Sequence, residues 1–446
     1  MMDFWIRAAQ LILSLSILII LHEFGHFIPA RLFKTRVEKF YLFFDPYFAL
    51  FKKKIGDTEW GIGWLPLGGY VKISGMVDES MDKEQLAQPP QPWEFRSKPA
   101  WQRLIVMLGG VTVNVIVGFV IFIMVLFIWG EEKVDQKKLQ HGLAVHPYLE
   151  QFGFESGDRV LLVDGVKNED VQRLGVEMLI FNKRHFTVQH QDGKIEKIVL
   201  PEDIGTKMWT NDVEKSAFDL RRFMERVKSV DPKKGTAKRI GIKKGDKIVA
   251  INDQEIEYYD QFQSALYHNK GKKVTLTIER KGKTITKETK IGKDGIFGIS
   301  GDHKYTQDTN AIFTQEYSFG EAFSSGFGWG LKMMYSNVAQ FKYVFTAKGA
   351  NSVGGFGAIG KLFPPSWNWQ AFWTLTAFLS MMLAVMNLLP IPALDGGHVM
   401  FLLYEIITGR AASQNVMEKA QYVGFFLLIG LLLFANGNDL IKWLFG

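Results

Sequence analysis

Cysteine is absent from the 446 residues. Disulfides are therefore excluded, and so is any thiolate metal site; the absence fits oxidising and reducing compartments alike. Charge is missing where it would normally interrupt a hydrophobic run: Leu104 to Ile128 carries none, and Ala371 to Leu394 carries none up to its proline-rich end. A small-residue cleavage site is also missing after the first apolar core. Arg7 followed by an apolar stretch looks like a secretory signal, but ionisable residues come next, so this stretch is expected to stay in the protein.

Four apolar runs are present, each long enough for the roughly 20 helical residues that cross a bilayer. They lie between Arg7 and Arg31, at 104–128, at 371–394 and from Ala420 to about Asn438. A chain of this length exceeds one ordinary domain. A multi-span α-helical membrane protein is expected, with the charged stretch 131–310 as a folded insertion. Basic residues orient the spans. Arg31, Lys34, Arg36, Lys39 and Lys52 to Lys54 follow the first, and Arg96, Lys98 and Arg103 precede the second. The positive-inside rule then puts 31–103 in the cytoplasm and the N-terminus and the long middle region outside, since long domains translocate regardless of charge.

"LHEFGH" interrupts the first run with three ionisable residues. Each would cost several kcal/mol at the centre of a bilayer helix without a partner or a hydrated cavity. His22 and His26, four apart, share one helix face and can bind one cation; Glu23 is adjacent. This is the H-E-x-x-H spacing of zinc hydrolases, in which two neutral imidazoles hold the metal and the glutamate takes a proton from the attacking water. At about 1.5 Å per residue, His22 lies roughly 23 Å from Arg7 and roughly 14 Å from Arg31, so the site is nearer the cytoplasmic side. Pro29 is expected to kink or end the helix. A third ligand is needed. Asp395, after Pro390 and Pro392 in "NLLPIPALDGGHVM", is a candidate, and so is His398.

The middle region contains a repeat. "GFESGDRVLLVDG" from Gly153 and "GIKKGDKIVAIND" from Gly241 align with a constant offset of 88 residues. Each reads as a glycine-aspartate turn, a β-branched strand and a polar turn. The pattern resembles PDZ domains, which bind extended peptides by strand addition. Peptide or substrate-tail binding and a passive spacer role both fit. Residues 311–346 read as an amphipathic helix on the outer membrane surface, since Lys332 and Lys342 interrupt it. "GANSVGGFGAIG" after it reads as a loop.

"LHEFGH" together with "NLLPIPALDGGH" resembles the site-2 protease family of intramembrane zinc metalloproteases. The resemblance covers nearly the whole chain. It implies four transmembrane helices, a re-entrant β-hairpin and two inserted α+β PDZ-like domains. By position it makes His22, His26 and Asp395 the ligands of one Zn²⁺ and Glu23 the catalytic base. Asn387 matches the family asparagine that handles the substrate backbone. "GGVTVN" corresponds to G-P-x-x-N, with Gly110 and Asn114 fitting and Val111 in place of proline, and Asn114 is by this match a substrate-binding candidate. "GIGWLPLGGYVKISGM", Gly61 to Met76, resembles the family's re-entrant hairpin, whose edge near Gly68, Gly69 and Tyr70 would capture an unwound substrate.

The expected layout is 1–130 for the first two spans, 131–206 and 207–310 for the PDZ-like domains, 311–370 for a membrane-surface segment and 371–446 for the last two spans. The implied activity is cleavage of single-span membrane proteins within the bilayer, such as anti-sigma factors or signal-peptide remnants, in regulated intramembrane proteolysis and stress response. The implied location is a bacterial inner membrane with the PDZ-like domains on the periplasmic side. Lipid, single-span substrates and peptide tails at the PDZ grooves are the expected partners, and no nucleic acid. A non-catalytic scaffold would not need His22, Glu23, His26 and Asp395 together. A metal transporter would need ionisable residues along several spans, and the second has none.

Overall fold

Helix α1 spans Met2–Leu32, with Asp3 in its first turn and Arg31 in its last, each favourable to the helix dipole. Pro29 sits inside it without ending it: the helix continues through Leu32, and the ring meets Gly109 of the next helix, 3.3 Å from where a Cβ there would stand. The computed structural model describes residues 2–66, 68–76, 88–168, 170–171, 173–213, 216–231, 235–301 and 308–445. Contacts divide the chain into two units, Met1–Gly130 with Glu316–Gly446, and Glu131–Gln315.

The helical unit contains α2 (Ala100–Trp129), α3 (Phe319–Val344), α4 (Trp369–Leu388), α5 (Asp395–Thr408) and α6 (Gln414–Phe445). Four of these, α1, α2, α4 and α6, are long and apolar enough to cross a membrane. The neighbours of α6 leave its Val423, Phe426, Leu433 and Trp443 exposed, an apolar surface suited to lipid. Between lipid-facing helices the hydrophobic effect gives little, so close packing of small residues does the work. A Cβ on Gly109 would lie 1.9 Å from the Gly25 carbonyl oxygen, and one on Gly25 2.4 Å from that of Gly109. This crossing brings α1 and α2 backbone to backbone. Polar groups buried in the bundle pair across helices: Ser14 with Thr376 at 2.9 Å, and the Gln10 amide with the Pro364 carbonyl at 2.9 Å.

Helix α4 stops at Leu388, six residues short of the apolar run, because Pro390 and Pro392 cannot continue it. The turn that follows holds Ala393 at φ 77°. Its amide donates to Gln421 of α6 at 3.1 Å, and Gly424 of α6 lies against the Pro392 carbonyl. Helix α3 is shorter than the expected 311–346, because Ile312–Gln315 form a strand before it. Gly326 and Gly330 let it approach Ile123 and Phe119 of α2. The glycine-rich stretch Gly349 to Gly360 corrects the expectation of a loop: it contributes to two short helices, Ala347–Ser352 and Phe356–Leu362. Thr346 caps the first by accepting from the Gly349 amide, and Asp439 of α6 accepts from the amides of Gly355 and Ala358. The glycines give close approach to Tyr343 and Asn436 rather than freedom to the chain.

Residues 37–73 form a four-stranded sheet in the order β2-β3-β1-β4: β1 (Val37–Leu42), β2 (Phe44–Ile55), β3 (Thr58–Leu65) and β4 (Tyr70–Ile73). The expected hairpin over Gly61 to Met76 is corrected here. Its two strands, β3 and β4, do not pair with each other; β1 lies between them, parallel to β3 and antiparallel to β4. The Tyr41 ring of β1 occupies the space over Gly61 and stacks on Tyr70 at 5.3 Å, which wedges β1 into that place. The hairpin proper is β2 with β3. Leu67 lies outside the described residues.

The second unit is framed by β5 (Glu131–Val134), paired with β18 (Ile312–Gln315). Inside it the repeat is structural. The sheet β10-β9-β7-β8 with the pair β6–β11 recurs as β16-β15-β13-β14 with β12–β17. Here β6 to β11 are Leu143–Val145, Arg159–Val163, Val166–Lys167, His185–Gln189, Ile195–Val199 and Phe218–Leu220. Strands β12 to β17 are Val227–Val230, Lys247–Ile251, Gln254–Glu255, Lys273–Arg280, Lys283–Lys290 and Ile299–Gly301. Asp164 and Asn252 hold φ 47° and 52° at equivalent turns. Because β11 pairs with β6, the first copy extends to Leu220 and the expected boundary after residue 206 falls inside it.

Candidate metal centre

His22 and His26 stand one turn apart on α1, and Asp395 is the first residue of α5. Their Nε2, Nε2 and Oδ2 atoms form a small triangle: 3.2 Å between the two nitrogens, and 3.3 and 3.4 Å from these to the carboxylate oxygen. A tetrahedral ion with bonds of about 2.0–2.2 Å places neighbouring ligand atoms roughly 3.3–3.6 Å apart. The triangle fits that spacing. Asp395 Oδ2 is buried and has no hydrogen bond, which is the condition of an atom with a cation to bind. Two imidazoles and one carboxylate leave one position of a tetrahedron open, the composition of a hydrolytic zinc site.

Each ligand candidate is fixed by a neighbour. His26 is 7% exposed and its Nδ1 lies 2.9 Å from the Val106 carbonyl of α2. A carbonyl only accepts, so Nδ1 carries the proton and Nε2 keeps its lone pair for a metal. Gly110 of α2 closes the other side: a Cβ there would lie 2.4 Å from His26 Nε2 and 2.6 Å from His22 Cε1. Any larger residue would displace both rings. Asp395 is brought in by the turn after α4. Cβ atoms on Gly396 and Gly397 would meet the Leu389 and Ile391 carbonyl oxygens at 2.2 and 2.7 Å, so the two glycines allow α5 to start directly on that turn.

The other expected site residues fall into two groups. Asn387 Nδ2 stands 3.4 Å from His22 Nε2. A Cβ on Gly69 would lie 3.5 Å from Glu23 Cγ and 2.5 Å from Ile19, so the start of edge strand β4 runs beside the glutamate. Gly68 packs under the Phe44 ring. Tyr70 turns into the sheet, where its hydroxyl donates to Asp45 at 2.8 Å. Asn114, expected at substrate, is fully buried and faces His22 Nδ1 at 3.2 Å. His398, the rival third ligand, is outside the group that can share an ion. The Val106 carbonyl gave no sign in the sequence, because a backbone group has no residue type. Gly109-Gly110 did give one, as a small pair in an otherwise bulky span.

The description "Peptidase family M50" matches residues 10–431. The chain belongs to peptidase family M50. It is 27% identical over 460 residues to the "Regulator of sigma E protease" of Haemophilus influenzae, covering 99% of this chain and 100% of that protein. It is 28% identical over 480 residues to the "Regulator of sigma-E protease RseP" of Escherichia coli, covering 98% and 99%. It is 26% identical over 457 residues to a "Putative zinc metalloprotease" of Vibrio cholerae, covering 97% of each. As an M50 peptidase with four apolar helices of spanning length, it is a zinc metalloprotease of the membrane.

Proposed function

We propose that this protein is a multi-pass inner-membrane protease that cleaves within the spanning segments of single-span proteins, with His22, His26 and Asp395 as the zinc ligands and Glu23 as the base. The observation that carries the reading is the triangle of ligand atoms from His22, His26 and Asp395, with Glu23 and the β4 edge beside it. When bound, zinc supplies Lewis-acid polarisation of the scissile carbonyl and lowers the pKa of water. The chain's own residues do the rest. Glu23 takes a proton from the attacking water and delivers it to the leaving amine. Gly68 and Gly69 lead into β4, whose outer edge adds an unwound substrate strand and carries it past Glu23. Asn387 holds a freed backbone group of that strand.

The sheet 37–73 enters the membrane from the cytoplasmic side, where residues 31–103 lie, and the 131–315 unit is periplasmic. Its two copies are PDZ-like. A cavity of about 460 Å³ lies between the copies, lined by Val145, Pro147 and Leu220 of the first and by Tyr259, Phe262 and Ile299 of the second, room for the tail of a peptide. The substrates are those of a regulator of a sigma-E-type stress response: membrane-anchored anti-sigma factors and signal-peptide remnants.

Glu23→Gln tests the assignment. Cleavage of a single-span substrate in detergent or liposomes should fall about 10²–10⁴-fold, while zinc content stays at the wild-type level. Unchanged cleavage would remove Glu23 from the mechanism.

A further inference from the structure

We propose that Asn114 is the positioning residue of His22, and that its carboxamide follows the imidazole between two tautomers. The inference rests on the reading of His22 as a ligand.

The two histidines are supported differently. His26 Nδ1 meets a backbone carbonyl, which fixes one tautomer. His22 Nδ1 meets only Asn114, with Nδ2 at 3.2 Å. Asn114 is completely buried on α2, and its Oδ1 has no hydrogen-bond partner. Its backbone is pinned independently, because Ser380 of α4 donates to the Asn114 carbonyl at 2.7 Å. The side chain alone therefore faces the ring. Gly110, one turn away, packs against His22 Cε1 and keeps the ring from tilting out of reach.

The chemistry of the two ends explains a carboxamide here. When His22 Nε2 carries the ring proton, it can donate to Asp395 Oδ2, 3.3 Å away. Nδ1 is then an acceptor, and the Asn114 amino group donates to it. When the Nε2 lone pair is given to a cation, the neutral ring carries its proton on Nδ1. Two donors would then face each other. A half-turn of the carboxamide exchanges its ends at almost no change of shape, and Oδ1 accepts from Nδ1–H. A backbone carbonyl could serve only the second arrangement. A carboxylate would serve it too, with a charge added inside the bundle.

The test uses the full chain in detergent with zinc ions as the probe, measured by competition with a chelator. Asn114→Leu keeps the volume and removes the acceptor; Asn114→Asp keeps the acceptor. Zinc affinity should fall about 10–100-fold in Asn114→Leu and stay within about threefold of wild type in Asn114→Asp. Thermal unfolding of the zinc-stripped proteins checks the fold. If the leucine protein does not fold, Asn114→Ala is read in its place. Equal weakening by Leu and Asp, or none by Leu, overturns the proposal. His22→Ala separates this failure from that of the ligand assignment: wild-type affinity in His22→Ala sinks the assignment of His22, and the proposal with it.

Discussion

Among the described residues two clusters of histidine and carboxylate have the spacing of a metal site, and one of the two has the chemistry. His22, His26 and Asp395 form the first; Glu155, Asp158 and His190 in the inserted unit form the second. In the second the atoms are already used. Asp158 Oδ2 accepts from the Glu155 amide at 2.7 Å and Oδ1 from His190 Nδ1 at 2.8 Å. The repeat shows what this cluster is for. In the second copy Asp246 accepts from the Lys243 amide at 2.8 Å and from the Arg280 guanidinium at 2.7 Å. His190 stands in for an arginine that clamps a buried turn aspartate. The first cluster differs because Asp395 Oδ2 is buried and faces only the two imidazole nitrogens that would share its ion. Proximity of ligand types makes a candidate, and unspent lone pairs make a site.

The strongest way to break this contrast is to remove one group from each cluster. Asp395→Ala should weaken zinc binding by more than the ~100-fold typical of losing a supporting residue. His190→Gln should leave zinc content at one per chain. Loss of metal in His190→Gln would make the second cluster a site after all.

A smaller effect is expected from adding one methyl group at the metal centre and one at a turn of the inserted unit. Gly110→Ala drives a Cβ into both rings, an overpacking that costs about 1–3 kcal/mol, and it should lower zinc affinity as well as stability. Gly165→Ala has open space around it but φ 79°, so it should cost about 1 kcal/mol in backbone strain alone. Thermal unfolding and zinc titration read both. Equal zinc affinity in the two variants would separate Gly110 from the site.

The smallest expected effect is in pH dependence. Burial lowers the His190 pKa, but the hydrogen bond and charge of Asp158 outweigh it and hold it raised. Its contribution is then complete below the unfolded value of about 6.5 and is lost as pH rises through the folded value. Asp246 is held below its ordinary value by the Arg280 hydrogen bond, against burial. Its contribution is present above about 3.9 and is lost as pH falls through the lowered value. Between about pH 5.5 and about pH 8.5, hydrogen exchange corrected for intrinsic rate should speed up in strand 159–163 and not in 247–251. His190→Arg should abolish the difference; if it persists, the clamp is not its origin.

Local patterns were legible and crossings were not. Helix-spaced His22 and His26 supplied two of the three ligand candidates, because α-helix geometry is fixed by the backbone. The four apolar runs became helices, with α4 cut short by Pro390 and Pro392. The repeat survived as repeated strands because its glycine and aspartate turns are local. The position of β1 between β3 and β4 was hidden, since pairing order depends on Tyr41 packing over Gly61. So were the helices at 347–362, whose amides are satisfied by Asp439 from about 80 residues away.

The sequence by itself determined the four apolar helices, the paired histidines with their glutamate, and the duplicated insertion, because each is written in residues within a few turns of one another. The tertiary structure decided which side chains share a centre. It brought Asp395 to α1 through a proline-broken turn, and gave the Val106 carbonyl to His26 and Asn114 to His22. Those outcomes depend on how closely α1 and α2 approach at Gly25 and Gly109, and a helix crossing is set by the fit of two surfaces rather than by either sequence alone.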